Sequence, residues 1–188
     1  MTAEAGPAAR IRPEQPSDEA AVEAVVTAAF GGRQVAELVG GLRASAGWLD
    51  LSLVAEDRGE VVGHVSLTRG WVDAPRRLVD VLVLSPLSVR PDRQRQGLGA
   101  ALVEEALRAA KRRPEPLVFL EGSPRYYPRF GFVPGRSLGF TAPSVRIPPA
   151  AFQVYVLPSY HSSLRGALVY PDVFWRHDAV GLREPPVD

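Results

Sequence analysis

The sequence predicts a mixed α/β (α+β) domain built around one sheet with helices packed on it. Two amphipathic helical patterns precede the first strand-like run, a hairpin and a long apolar strand follow with no helix between them, and one strand, turn and helix unit, Leu82 to Lys111, occupies the centre. At 188 residues, 46% hydrophobic and 23% charged, the chain suits one ordinary globular core and fits neither disorder, collagen nor coiled coil.

Ser17-Asp18-Glu19-Ala20 offers an N-cap oxygen and first-turn acids, and Val22, Val25, Val26 and Ala29 continue at helical spacing until Gly31-Gly32. Arg33 to Ala46 is a second, weaker amphipathic helix, with Val35, Leu38, Val39 and Leu42 inward and Gly47 as its stop. Leu51 to Ala55 reads as a strand, Asp57-Arg58-Gly59-Glu60 as a tight turn and Val61 to Val72 as the partner strand. After a second turn at Asp73 to Arg77, Leu78 to Val89 is apolar on both faces. Ser85-Pro86 interrupts it, and a proline there implies a bulge or a splayed edge. Gly97 to Arg113 is the strongest helix, with Lys111, Arg112 and Arg113 in its last turn and Pro114 preventing continuation. Leu117 to Leu120 is a short buried strand. Twelve of the 18 prolines lie beyond Lys111, so short strands such as Phe152 to Leu157 and Ala167 to Tyr170, joined by turns, are expected there.

Composition excludes several chemistries. With no cysteine, the chain has no disulfide, zinc-thiolate site or thiol nucleophile, and its three histidines, His64, His161 and His177, are too scattered for a local metal motif. A net charge of +1 gives no reason to expect nucleic acid as a partner. No run approaches the ~18–20 apolar residues of a membrane span, and Met1 to Arg10 shows no secretory pattern, so a cytoplasmic location without membrane contact is expected.

Gln94-Arg95-Gln96-Gly97-Leu98-Gly99-Ala100 joins a buried strand to the start of the best helix. Free amides and the helix dipole at such a start attract anions, and glycines let a diphosphate approach without a Cβ in the way. Arg90, Arg93 and Arg95 stand nearby. A dinucleotide fingerprint would need a third glycine where Leu102 stands, and a P-loop would need Gly-Lys-Ser/Thr. Taken alone, the pattern also suits a turn whose glycines only permit a tight connection.

The run from Leu84 to Leu102 resembles the cofactor-binding motif of the GNAT superfamily of acyl-CoA N-acyltransferases, and Tyr127-Pro128-Arg129-Phe130-Gly131-Phe132 is similar to that superfamily's later Tyr-x-x-x-Gly-Phe element. Pro86-Leu87-Ser88-Val89, the Tyr126-Tyr127 pair and the tail Gly166 to Phe174 resemble a bacterial branch of predicted acetyltransferases. The resemblance implies a largely antiparallel sheet with a splayed central strand and helices on both faces. It sets the acetyltransferase domain at residues 10–157, with a flexible tail at 1–9 and a C-terminal extension at 158–188 whose last dozen residues form a second tail.

It also implies acetyl-CoA as cosubstrate and no metal. The backbone of Leu87, Ser88 and Val89 would hold the pantetheine arm, with the bulge at Pro86 aiming the next amide at the thioester carbonyl. The amides of Gln94, Arg95, Gln96, Gly97, Leu98, Gly99 and Ala100 would hold the pyrophosphate, Arg95 replacing the usual glycine. Tyr127 matches the general acid that protonates the departing thiolate; packing under the cofactor, as for Tyr126 or Phe130, is the alternative. The superfamily's usual Asn is absent from Glu121-Gly122-Ser123-Pro124. No general base is assigned. His64 is conceivable, with Asp80 and Glu121 read as solvated strand ends and His161 and His177 as surface residues. Phe152, Tyr155, Tyr160, Tyr170, Phe174 and Trp175 would line an aromatic acceptor pocket or form strand core. The implied activity is direct transfer of acetyl to a primary amine on a small molecule or peptide, and a homodimer is compatible with it. The alternative is a CoA-binding sensor with little or no transfer activity.

Overall fold

A computed structural model describes residues 9–182. Of the expected tails, 1–9 and the last dozen residues, positions 1–8 and 183–188 lie outside the described residues, whereas Val180 is buried in the core and the Gly181 and Leu182 amides donate to Glu121 and to the Arg146 carbonyl. One nine-stranded sheet organises the chain, with β1 (Arg10–Pro13), β2 (Leu51–Asp57), β3 (Glu60–Ala74), β4 (Arg77–Val89), β5 (Leu117–Glu121), β6 (Val133–Pro134), β7 (Phe140–Thr141), β8 (Phe152–Val156) and β9 (Gly166–Val169). The order across it is β1-β2-β3-β4-β5-β8-β6, with β9 pairing with both β3 and β7. Only the β4/β5 and β7/β9 pairs are parallel. The expected mixed, largely antiparallel sheet is therefore observed.

Four helices flank it: α1 (Glu19–Phe30), α2 (Gln34–Arg43), α3 (Leu98–Ala110) and α4 (Asp172–Arg176). Leu102, Val103, Ala106 and Leu107 of α3 pack on Val65, Leu67, Leu82, Leu84 and Val118. On the opposite face Leu38 and Leu42 of α2 and Val173 and Phe174 of α4 cover Val72, Val81, Val83 and Phe119. Alternate residues of β4 and β5 thus enter different cores, which is why both strands are apolar on both faces.

β1 has no counterpart in the sequence reading. Four residues with charged or rigid neighbours carry no readable period, and the strand exists because Arg10 to Pro13 pair with Glu56 to Leu53 of β2. Arg12 then reaches both Glu56, at 2.7 Å, and Asp18, and Asp18 accepts the Gln15 amide at 2.8 Å, fixing the entry to α1. The first helix consequently begins with a 3-10 turn at Pro16–Asp18 rather than with a Ser17 side-chain cap.

The bulge predicted at Pro86 is present. Val65 faces Leu87 and Leu67 faces Leu84, so Ser85 and Pro86 together oppose Ser66. The extra residue reverses the alternation of β4. Leu87 and Val89 therefore stay on the α3 side with Leu84, and Ser88 turns to the α1 side. On its other edge β4 pairs with β5 only at Leu82 and Val83, and the strands separate beyond them.

Candidate active site

The separation of β4 from β5 opens a cleft of about 500 Å³ at the N-terminus of α3, lined by Leu87, Val89, Arg93, Gln94, Arg95, Gly97, Gly99, Ala100, Tyr126 and Arg129. Seven of the ten cofactor residues expected from sequence line it. Ser88, Gln96 and Leu98 do not: the Ser88 hydroxyl donates to the His64 carbonyl on the far face, the Gln96 side chain to the Asp92 carbonyl, and Leu98 packs toward the α3 core. Any part these three play would run through their backbone.

The turn has the shape an anion site needs. Arg95 sits at φ 61° and Gly97 at φ 85°. The motif's usual glycine at position 95 is explained by that left-handed backbone, which costs a side-chain-bearing residue about 1–2 kcal/mol. The Gln94 side chain donates to the Val89 carbonyl at 3.0 Å and ties the turn back to β4. Gly99 answers a different need, since a Cβ there would lie 2.8 Å from the Tyr126 hydroxyl. That close approach lets Tyr126 form a wall of the cleft.

Charge in the cleft is distributed differently from the sequence expectation. Arg90 is held by Asp92 at 2.7 Å and Glu60 at 3.1 Å, and Arg93 pairs with Asp57. Among the described residues Arg95 and Arg129 make no ion pair, so these two carry the cleft's free cationic charge. The Arg129 guanidinium lies 4.1 Å from the centroid of the Tyr126 ring. In sequence, packing under the cofactor is open to Tyr126, Tyr127 or Phe130, because nothing in a Tyr-Tyr-Pro-Arg-Phe segment tells which ring faces the helix start; Tyr126 takes that place, and Arg129 joins it without a sequence signal.

Tyr127 takes the other side of that segment. Its ring stands edge-on to Tyr126, with centroids 5.0 Å apart, and packs against Phe132. A Cβ at Gly122 would come within 2.3 Å of the Tyr127 ring, so Gly122 makes room for it. Burial and the neighbouring Tyr126 push the Tyr127 phenol up to about 12, which keeps it protonated at neutral pH.

Of the three base candidates, Asp80 is exposed as expected. Glu121 is not a solvated strand end: it accepts the Gly181 amide at 3.1 Å, and burial raises its carboxyl above the ordinary range against the hydrogen bond from Tyr170. His64 is completely buried. Its Nε2 is 2.8 Å from the Ser52 hydroxyl and 3.3 Å from Glu14, whose carboxylate also pairs with Arg43. Burial drives the His64 imidazole below its ordinary value despite Glu14. Burial also raises Glu14, but hydrogen bonds from His64 and Ser52 and the charge of Arg43 outweigh it and hold the carboxyl low.

Of the two readings of the aromatic residues, strand core rather than an acceptor pocket is observed. Phe152 stacks on Phe119 and Tyr170 on Phe174 in one core, whereas Tyr155 contacts Phe132 in the other and Trp175 is exposed. A second cleft, of about 910 Å³ between the start of β4 and Pro114 to Pro116, contains none of the turn residues. Among the described residues no group of three or more His, Asp or Glu is placed to hold a metal ion, and no helix is long and apolar enough to cross a membrane.

Comparison with known proteins agrees with this architecture. The acetyltransferase (GNAT) domain family matches residues 49–134. The uncharacterized N-acetyltransferase YjhQ of Escherichia coli strain K12 is 35% identical over 133 residues, covering 68% of this chain and 71% of YjhQ. The crystal structure of the GNAT family N-acetyltransferase YhbS from Escherichia coli, a complex with CoA, superposes with a TM-score of 0.82 at 29% identity, covering 94% of this chain and 97% of YhbS. A GNAT family acetyltransferase from Brucella melitensis, in complex with acetyl-CoA, gives a TM-score of 0.72 at 30% identity over 88% of this chain and 97% of its own. These relatives match the chain along most of their own length, and the chain belongs to the GNAT family of N-acetyltransferases.

Proposed function

We propose that the protein moves an acetyl group from acetyl-CoA to a primary amine by direct attack, both substrates being bound together. The observation that carries this is the cleft at the start of α3, where left-handed Arg95 and Gly97, the bare Cα of Gly99 and the guanidinium groups of Arg95 and Arg129, without an ion pair among the described residues, surround space for a diphosphate. The amides from Gln94 to Ala100 bind it. Leu87 and Val89 offer apolar walls to the pantetheine, and the backbone of Leu87 to Val89, free of β5, offers it hydrogen bonds. An amide after the bulge is the donor for the developing oxyanion.

Tyr127 acts on the leaving thiolate. A phenol near 12 holds its proton more tightly than an ordinary thiol at about 8.5, a gap of about 5 kcal/mol. Its contribution is therefore a hydrogen bond that strengthens as sulfur gains charge, with full transfer only after the thiolate is left desolvated. Direct transfer also agrees with the absence of cysteine.

Titration of acetyl-CoA into the pure protein, followed by thiol release against a panel of primary amines, tests the reading. Saturable binding with amine-dependent release is expected. Absence of binding refutes the cleft assignment, and binding without release from a broad panel favours a CoA-binding sensor.

A further inference from the structure

A row of buried polar side chains crosses the sheet beside the bulge, on the face opposite the cofactor cleft. Ser52, His64, Ser66 and Ser88 are all at most 4% exposed. Ser66 faces Ser52 in the β2/β3 register, Ser88 faces His64 in the β3/β4 register, and the Ser66 hydroxyl donates to the Ser85 carbonyl in the bulge at 2.7 Å. At the outer end, Ser52 and Glu14 line a cleft of about 220 Å³ together with Arg43, Trp48 and Asp50.

The proton positions in this row are determined by counting. Arg43 engages one Glu14 oxygen, and the Ser52 hydroxyl donates its only proton to the other. Toward His64, Ser52 can therefore only accept, so the 2.8 Å contact requires a proton on His64 Nε2. Glu14, 3.3 Å away, favours the same tautomer. A neutral ring with Nε2–H leaves Nδ1 as a bare lone pair, and Nδ1 is buried with no partner among the described residues. An unmatched acceptor inside a protein is costly, and a carboxylate-held imidazole with its second nitrogen free is the arrangement by which proteins present a base. The charged groups that bear on the ring are Glu14, which stabilises an imidazolium, and Arg43, which opposes one.

We propose that His64 Nδ1 is the proton acceptor for the attacking amine, and that Ser52, Glu14 and Arg43 are positioning residues that fix its tautomer. The proposal rests on the acetyl-transfer reading and names the base that reading lacks. The amine arrives as an ammonium with three protons. One passes to Nδ1 and later to solvent, and the freed electron pair forms the N–C bond as the C–S bond breaks. The sulfur keeps the C–S pair and takes a proton from Tyr127. The second ammonium proton restores the phenol, leaving amide, thiol and one released proton.

Two measurements decide it. Nitrogen-15 NMR of the labelled full chain at neutral pH reads the tautomer. Protonated Nε2 and bare Nδ1 are expected, with Glu14→Gln and Ser52→Ala increasing the other form; a ring protonated at Nδ1 overturns the proposal whatever the enzyme does. Thiol release from acetyl-CoA with the primary-amine panel reads the chemistry. His64→Gln should lower kcat by about 100-fold or more and remove the acid limb of the pH profile, with the Kd for acetyl-CoA changed by less than about threefold. Release within threefold of the original protein overturns it. Should His64→Gln fail to fold, Glu14→Gln must show a smaller fall in kcat together with the tautomer change, and a tautomer change without a fall in kcat overturns the proposal. An unaltered protein that binds acetyl-CoA and releases no thiol overturns the transfer reading itself, a result separable from an Nδ1–H ring.

Discussion

Gly99→Glu is the sharpest perturbation of the cofactor cleft, because it should move affinity and stability in opposite directions. Gly99 is the second residue of α3. A carboxylate in a first helical turn stabilises a helix by about 0.3–1 kcal/mol through the dipole, and replacing glycine adds up to about 1 kcal/mol. The displaced neighbour is the Tyr126 hydroxyl, 2.8 Å from the new Cβ and at the far end of its side chain. Against a bound diphosphate the same carboxylate is repelled. At about 4 Å a unit charge pair is worth about 1 kcal/mol in water and about 4 kcal/mol at an effective dielectric of 20, or about fivefold to a thousandfold in Kd. Calorimetric titration with acetyl-CoA at low salt should show at least tenfold weaker binding, a melting temperature no lower than that of the original protein, and a gap that narrows as salt rises. Gly99→Ala isolates the steric part and should lose much less. Unchanged affinity in Gly99→Glu would refute the placement of the phosphates, and equal losses in the two variants would show that Tyr126, not charge, controls the site.

Three further outcomes follow from the structure. Tyr127→Phe should reduce thiol release about 100-fold while changing the Kd for acetyl-CoA less than threefold, and no loss of activity on the alkaline side should trace to Tyr127 until pH approaches about 12; a basic limb near neutrality that vanishes in Tyr127→Phe would contradict this. Folding stability should fall as pH drops below about 6.5, because the unfolded chain protonates His64 there and the buried ring resists protonation; it should fall again in the carboxylate range as Asp18, held low by its hydrogen bond from Arg12, is neutralised. Urea midpoints across pH check both steps, and His64→Gln should flatten the first. Gly166→Ala should cost about 1–3 kcal/mol and about 2–12 °C in Tm, since φ at Gly166 is 148° and a Cβ would lie 2.1 Å from the Asp73 carbonyl oxygen; an unchanged melting curve would contradict the close β9 to β3 contact.

Periodic segments were legible from the sequence: α1, α2, the β2/β3 hairpin, the Pro86 bulge and α3 all rest on local patterns and lie within a few residues of expectation. Features fixed by contact across the fold were not. β1 exists through β2, and the pairing of Glu14 with His64 joins residues 50 positions apart. The choice of Tyr126 over Tyr127 for the cleft wall depends on Gly99, which sits on a different element. Arg93 looked free in sequence because its partner Asp57 belongs to the hairpin turn, and Arg90 is held from the same turn by Glu60 as well as by its sequence neighbour Asp92.

The double use of β3 has a consequence for solubility. Its first half is bordered by β2 as far as Leu67, while from Trp71 to Asp73 the same edge is bordered by β9, which comes from beyond residue 157. Without β9, an antiparallel edge carrying Trp71 and Val72 would be left with its amides and carbonyls unpaired. Such an edge is a template for strand addition by other chains. Residues 166–169 therefore work as a guard rail against self-association, and a form of the protein ended near residue 157 would lose that protection.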